Sequence, residues 1–149
     1  MPQKDEQDLP VVVFLHGGAF VVGACDSMLY GPQVLLDRDI VLVGAFGRLS
    51  LETDAAPGNL GLHDQYLALL WVNENIDAFG GDPGNVTLMG ESAGAMSAMF
   101  YFVSPVSGGL FHKIIALSGT ASSALLHTMI EHPGHMQMPW QKSLDMMEI

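Results

Sequence analysis

The sequence predicts an α/β fold, a parallel sheet whose strands are joined by helices, and three observations carry that prediction. Short β-branched, apolar runs recur at residues 11–15 (VVVFL), 40–43 (IVLV), 86–89 (VTLM) and 114–117 (IIAL), the pattern of strands buried within a parallel sheet. Between the second and third runs, Tyr66, Leu69, Leu70, Asn73 and Ile76 recur at near-helical spacing, which predicts a helix over 63–78. The third run ends in Gly90-Glu91-Ser92-Ala93-Gly94 and is followed by the helix formers Ala95, Met96, Ala98 and Met99, so a strand passes directly into a helix. Strands alternating with helices pair in parallel through crossover connections.

Taken in chain order, the first strand runs straight into His16-Gly17-Gly18-Ala19-Phe20, a glycine turn. The helix over 63–78 is stopped by Phe79-Gly80-Gly81-Asp82-Pro83, where glycines and a proline act as breakers. The third strand meets the Gly-x-Ser-x-Gly pattern, which lifts a serine hydroxyl off a sharp strand-to-helix turn. Glycines flank that serine because side chains there collide with the neighbouring strand and helix. The last strand, 114–117, follows the block Phe111-His112-Lys113.

The two glycine motifs complement each other chemically. A serine that attacks an acyl carbonyl generates a tetrahedral intermediate with negative charge on oxygen, and fixed backbone N–H groups must point at that charge. Ser92 is the candidate nucleophile, and the N–H groups of Gly17, Gly18 and Ala93 are the candidate oxyanion donors. Read alone, His16-Gly17-Gly18 is an ordinary glycine turn after a strand. Its pairing with a serine elbow downstream favours the catalytic reading.

With these residues in view, the chain resembles the type-B carboxylesterase, or cholinesterase-like, family of α/β-hydrolases, and has the look of its insect esterases. The resemblance runs over about residues 9–120. It includes Leu9-Pro10-Val11-Val12-Val13-Phe14-Leu15-His16-Gly17-Gly18-Ala19-Phe20, Ala56-Pro57-Gly58-Asn59-Leu60-Gly61-Leu62-His63-Asp64-Gln65, and Leu70-Trp71-Val72-Asn73-Glu74-Asn75-Ile76. It continues through the serine motif to Phe111-His112-Lys113-Ile114-Ile115-Ala116-Leu117-Ser118-Gly119. The resemblance implies a partial α/β-hydrolase fold, with central parallel strands, flanking helices and the outer strands missing. It also implies that Ser92 is the acyl-accepting nucleophile, that Gly17, Gly18 and Ala93 form the oxyanion hole, and that Glu91 is structural. Tyr30 and Phe20 line part of a gorge by the same analogy, or else belong to the core.

The departures from the family pattern set further expectations. At 149 residues the chain is long enough for one domain with a core, but family members run to several hundred. The family's catalytic acid and histidine lie after later strands, so the chain in isolation is expected to be inactive. An Asn-Tyr-Arg segment expected after 39–43 is replaced by Gly44-Ala45-Phe46-Gly47-Arg48-Leu49, with several residues deleted near the active-site loop. From about Ala121 the pattern is lost. Residues 121–149, with their scattered prolines and methionines, are expected to be a loosely ordered tail, leaving 9–120 as the domain. The two outer strands of the surviving piece are expected to leave open edges that invite self-association.

Composition narrows the remaining classes. A net charge of −11 with five Lys and Arg argues against nucleic acid and anionic membrane surfaces as partners. The most apolar stretch, Ala93–Val103, is too short to span a bilayer. Lys4, Asp5, Glu6 and Asp8 make the first residues polar, unlike a secretory leader. Cys25 is the single cysteine, so it forms no internal disulfide and no cysteine metal cluster; it reads as a small residue near a loop. No metal or cofactor is implied, since the chemistry needs side chains and backbone donors alone.

The six histidines matter because a serine hydroxyl needs a base to take its proton. By the family pattern His16 and His112 are structural, and His63 reads as a solvated residue at the start of its helix. His127, His132 and His135 fall in the divergent tail. Three functions follow: a serine hydrolase acting on a small carboxylic ester, a non-catalytic cholinesterase-like binding protein, or a fragment without activity. Binding members of the family typically replace the nucleophilic serine, and Ser92 with both flanking glycines weighs against that reading.

Overall fold

Side chains on alternate residues of a strand point to opposite faces of a sheet, and this alternation builds the core. The computed structural model describes residues 8–20, 22–45 and 60–122. Four strands, β1 (Leu9–Leu15), β2 (Val41–Ala45), β3 (Gly81–Glu91) and β4 (Lys113–Leu117), lie in the order β2-β1-β3-β4, and every pairing is parallel. Helices α1 (Leu60–Asn75) and α2 (Ala93–Val103) supply crossovers, with short 3₁₀ turns at Ile76–Phe79 and Pro105–Ser107. All four expected strands are therefore present and adjacent. The segment 46–59, the first seven residues and 123–149 lie outside the described residues, and with them the expected deletion beyond Ala45, the expected tail and its three histidines.

Val11, Val13 and Leu15 of β1 and Val86 and Leu88 of β3 form one row, each fully buried. They share a single cluster with Leu69 and Val72 of α1, Ile76 of the 3₁₀ turn that follows it, and Ala98 and Tyr101 of α2, so both helices cover the same sheet face. Burying a Val or Leu side chain stabilises by about 1.5–3 kcal/mol, which makes this row the main source of cohesion. On the other face Val12, Phe14, Thr87 and Met89 are half-buried, and Ile115 and Leu117 of β4 stay more than two-fifths exposed.

The buried face of α1 is Gln65, Leu69 and Val72, and it continues into Ile76 at the start of the 3₁₀ turn, at the spacing a 3.6-residue helix requires. Tyr66 and Leu70 flank it, half-buried against the core. Asn73, assigned to this face from the sequence, is exposed, because the line through Leu69 and Ile76 passes through Val72 instead. The helix begins at Leu60 and its regular α-turns stop at Asn75, three residues earlier at each end than the spacing predicts. Gly80, at φ 83°, closes the following 3₁₀ turn and donates its N–H to Ile76 and Asp77 carbonyls.

The strands extend past their sequence limits. β3 starts at Gly81, not at residue 86, because Leu9 donates its N–H to Gly80 O at 3.0 Å and pairs with Gly81. The register then slips between Leu9 and Val11, where Pro10 and Pro83, which lack N–H donors, are accommodated by the irregularity. β2 continues through Gly44 and Ala45, which pair with Phe14 and Leu15. Gly44 packs closely on the Cys25 side chain, where a Cβ would sit 3.0 Å from the Cys25 Cβ.

α2 is buried nearly all round, from Ala93 through Ala98 and again at Phe100 and Tyr101, as its uniformly apolar sequence requires. Among the described residues no helix is long and apolar enough to cross a membrane. The Tyr101 hydroxyl donates to Leu62 O, tying α2 to α1. Burial holds its pKa well above the ordinary tyrosine value, with the charge of Asp64 adding to the rise and the Tyr66 backbone N–H opposing it. The folded state therefore keeps this proton more tightly than the unfolded chain. Stability is insensitive to this group below about pH 10, the unfolded tyrosine value, and falls as pH rises above it. Tyr101→Phe is expected to flatten the alkaline fall in urea-unfolding free energy while costing about 1 kcal/mol at pH 8 for the lost hydrogen bond. An unchanged alkaline slope in the variant contradicts this assignment.

Candidate active site

The chain must turn from β3 into α2 within one residue, and Ser92 takes the strain. Gly90 and Glu91 still pair with Ala116 and Leu117 of β4, and then Ser92 adopts φ 52°, ψ −117°, a region that residues with a Cβ rarely occupy, at a cost of about 1–3 kcal/mol. Its N–H donates to Leu117 O at 2.8 Å, and its carbonyl accepts the Met96 N–H at 3.0 Å, starting α2. The flanking glycines are required by contact. A Cβ on Gly90 collides with the carbonyl of Gly94, and a Cβ on Gly94 collides with the carbonyl of Leu15 and lies 2.8 Å from His16 O. Gly119, just past β4, packs tightly on the Ser92 carbonyl, a contact that nothing in its spacing signals.

The glycine turn after β1 lies against this elbow. Leu15 pairs with Gly90, so both chains leave the sheet at the same level of its carboxyl edge. A Cβ built on Gly17 falls 3.0 Å from the Ser92 Cβ, which brings the candidate nucleophile and the turn together. Three successive residues then have positive φ, Gly18 at 112°, Ala19 at 51° and Phe20 at 61°. The sequence reading found the need for glycine here but not the left-handed Ala19 and Phe20, because both carry a Cβ. Val22 N–H donates to Gly18 O at 3.0 Å and His16 Nδ1–H donates to Gly17 O at 2.6 Å. Ala93, 2% exposed, opens α2, where first-turn N–H groups lack intrahelical acceptors and the helix end favours negative charge.

Beside the elbow, the Tyr30 hydroxyl donates to Glu91 Oε2 at 3.1 Å, and the Tyr30 ring tilts against Phe14 with centroids 4.9 Å apart. Cys25 is half-buried, its thiol 3.5 Å from Ala45 O. Burial pushes that thiol's pKa up, with Asp26 adding and the His16 backbone opposing, so it is a poorly reactive packing residue. His63 is exposed on α1, while His112 Nδ1 accepts the Val86 N–H at 3.2 Å. Among the described residues no group of three or more His, Cys, Asp and Glu is placed to hold a metal ion.

The close backbone approach gives a test. Gly94→Ala is expected to destabilise by about 3 kcal/mol or more, because backbone atoms of β1 must move to admit the methyl. Gly108→Ala, whose Cβ meets its nearest neighbour at 3.4 Å, serves as the control and is expected to cost less than about 0.5 kcal/mol. Equal urea midpoints for the two variants contradict the tight contact.

Comparison with known proteins shows the family and the fold. The model of the carboxylesterase family matches residues 1–138. The chain is 48% identical over 124 residues to a juvenile hormone esterase of Tribolium castaneum, covering 79% of this chain and 21% of that protein. It is 46% identical over 129 residues to the para-nitrobenzyl esterase of Bacillus subtilis (strain 168), covering 80% and 26% respectively. The structure superposes on that of juvenile hormone esterase from Manduca sexta, with OTFP covalently attached, with a TM-score of 0.73 at 36% identity, over 95% of this chain and 30% of that one. The chain thus spans about a fifth to a quarter of the length of these curated relatives and has a partial α/β-hydrolase fold. By family match, by identity and by fold, it belongs to the carboxylesterase family.

Proposed function

We propose that this chain carries the nucleophile and oxyanion half of a serine hydrolase acting on small carboxylic esters. The observation that carries the reading is the strained Ser92 (φ 52°) at the end of β3, with the Gly17 turn packed against its Cβ. Ser92 Oγ attacks the ester carbonyl and gives up its proton to a base. The C–O π electrons move to oxygen, and the oxyanion is held by backbone N–H groups of Gly17, Gly18 and Ala93. Collapse expels the alcohol, which takes the proton from the base, and leaves an acyl-enzyme on Ser92. Water then attacks the acyl carbon and releases the acid.

The base is assigned to none of His16, His63 or His112, since the family pattern makes His16 and His112 structural, His112 Nδ1 accepts the Val86 N–H, and His63 is exposed on α1. A diffusible base should therefore substitute. Incubation with a fluorophosphonate and increasing imidazole is expected to give an adduct on Ser92 whose formation rises with imidazole and vanishes in Ser92→Ala. A folded sample that forms no Ser92 adduct at any imidazole concentration, or one that labels equally in Ser92→Ala, overturns the reading.

Among the described residues β2 and β4 are the sheet edges, and exposed edge strands invite pairing with another chain. We propose self-association through them, supported by the exposure of Ile115 and Leu117. Light scattering is expected to show mass rising with concentration; a monomer throughout the accessible range contradicts it.

A further inference from the structure

Three groups from three separate elements meet behind the nucleophile. The Tyr30 hydroxyl donates to Glu91 Oε2 at 3.1 Å. Glu91 is the residue immediately before Ser92. Its Oε2 in turn lies directly over the α-carbon of Gly17, where a Cβ would collide with it. The carboxylate is thus the spacer between the glycine turn and the elbow, and Tyr30 is what holds it there.

The placement of Tyr30 is itself built. Asp26 Oδ1 accepts the N–H groups of Met28 and Leu29 at 2.9 and 3.2 Å, and Asp26 O accepts the Tyr30 N–H at 3.0 Å, an Asx-type turn that sets the loop geometry. The ring then packs on Phe14, next to the last residue of β1. A glutamate side chain has several rotatable bonds, and a loose carboxylate next to an oxyanion turn can swing toward it and repel the charge that the turn is meant to stabilise.

We propose that Tyr30 is a positioning residue which, through Glu91, fixes the Gly17 turn against the Ser92 elbow and keeps the carboxylate off the oxyanion position. The inference rests on the reading of Ser92 as nucleophile and of the Gly17 turn as donor. The state of the hydroxyl agrees with a permanent donor: burial raises its pKa, the Gly17 backbone opposes that, and the hydrogen bond to Glu91 and the carboxylate charge add to the rise.

Tyr30→Phe keeps the ring on Phe14 and deletes the hydrogen bond alone. Two readouts test it: amide exchange at Gly17 and Gly18 by NMR, and the imidazole-assisted rate of fluorophosphonate attachment to Ser92. Tyr30→Phe is expected to speed exchange and to slow attachment by about tenfold, a misplacement effect. Glu91→Ala should speed exchange in the same way but slow attachment less, since it leaves no carboxylate to repel the oxyanion, and the double variant should be no slower than Tyr30→Phe alone. Glu91→Gln, which keeps an acceptor oxygen for Tyr30, should recover most of the rate. Exchange and attachment within about twofold of the parent in Tyr30→Phe, or single effects that multiply in the double variant, overturn the proposal. If the parent chain forms no Ser92 adduct, the nucleophile reading fails, and the exchange measurement alone still decides whether Tyr30 pins the turn.

Discussion

The approach of two backbones at Gly94 is the constraint on which the rest of this structure depends. The first turn of α2 is pressed against the carbonyls of Leu15 and His16, leaving no room for a side chain. That contact, with the matching one at Gly90, forces the chain to reverse at Ser92 and fixes its left-handed backbone. It also puts the glycine turn beside the serine, because Leu15 and Gly90 stand opposite one another in the β1–β3 register. Parallel pairing sends both segments out of the same carboxyl edge, the edge at which open α/β sheets bind ligands. The site is therefore a consequence of strand register as much as of motif chemistry.

The strain at Ser92, Ala19 and Phe20 is offset by a core concentrated under it. Fully buried Val11, Val13, Leu15, Val86 and Leu88 anchor the two strands that deliver the turn and the elbow, and each contributes about as much as a strained residue costs. Ser92 is further held by Leu117 of β4 through its N–H, so three strands converge on one residue. Residues outside the serine elbow and the glycine turn then matter by position: Gly119 against the Ser92 carbonyl, and Tyr30 against the Glu91 carboxylate.

Much of this was legible in the sequence for physical reasons. β-Branched runs bounded by glycine marked all four strands, and the flanking glycines of Ser92 marked contacts that the structure shows as backbone against backbone. The limits of β3 were not legible, because Asp82-Pro83 reads as a breaker and its accommodation depends on a bulge opposite Leu9 and Val11. The buried face of α1 was misread at Asn73, since Tyr66 and Leu70 suggested a stripe rotated from the line through Val72 that packing selects. In the site, the left-handed Ala19 and Phe20 and the Tyr30–Glu91 hydrogen bond left no trace in residue type or spacing. They arise from tertiary closure across segments distant in the chain.

The most direct measurement is a crystal structure of the chain after reaction with a fluorophosphonate in imidazole. The account predicts phosphorus bonded to Ser92 Oγ, Ser92 retained at positive φ, and the phosphoryl oxygen about 2.7–3.1 Å from the Ala93 N–H and from N–H groups of the Gly17-Gly18 turn. A phosphoryl oxygen pointing to solvent, with the turn swung away from Ser92, contradicts it.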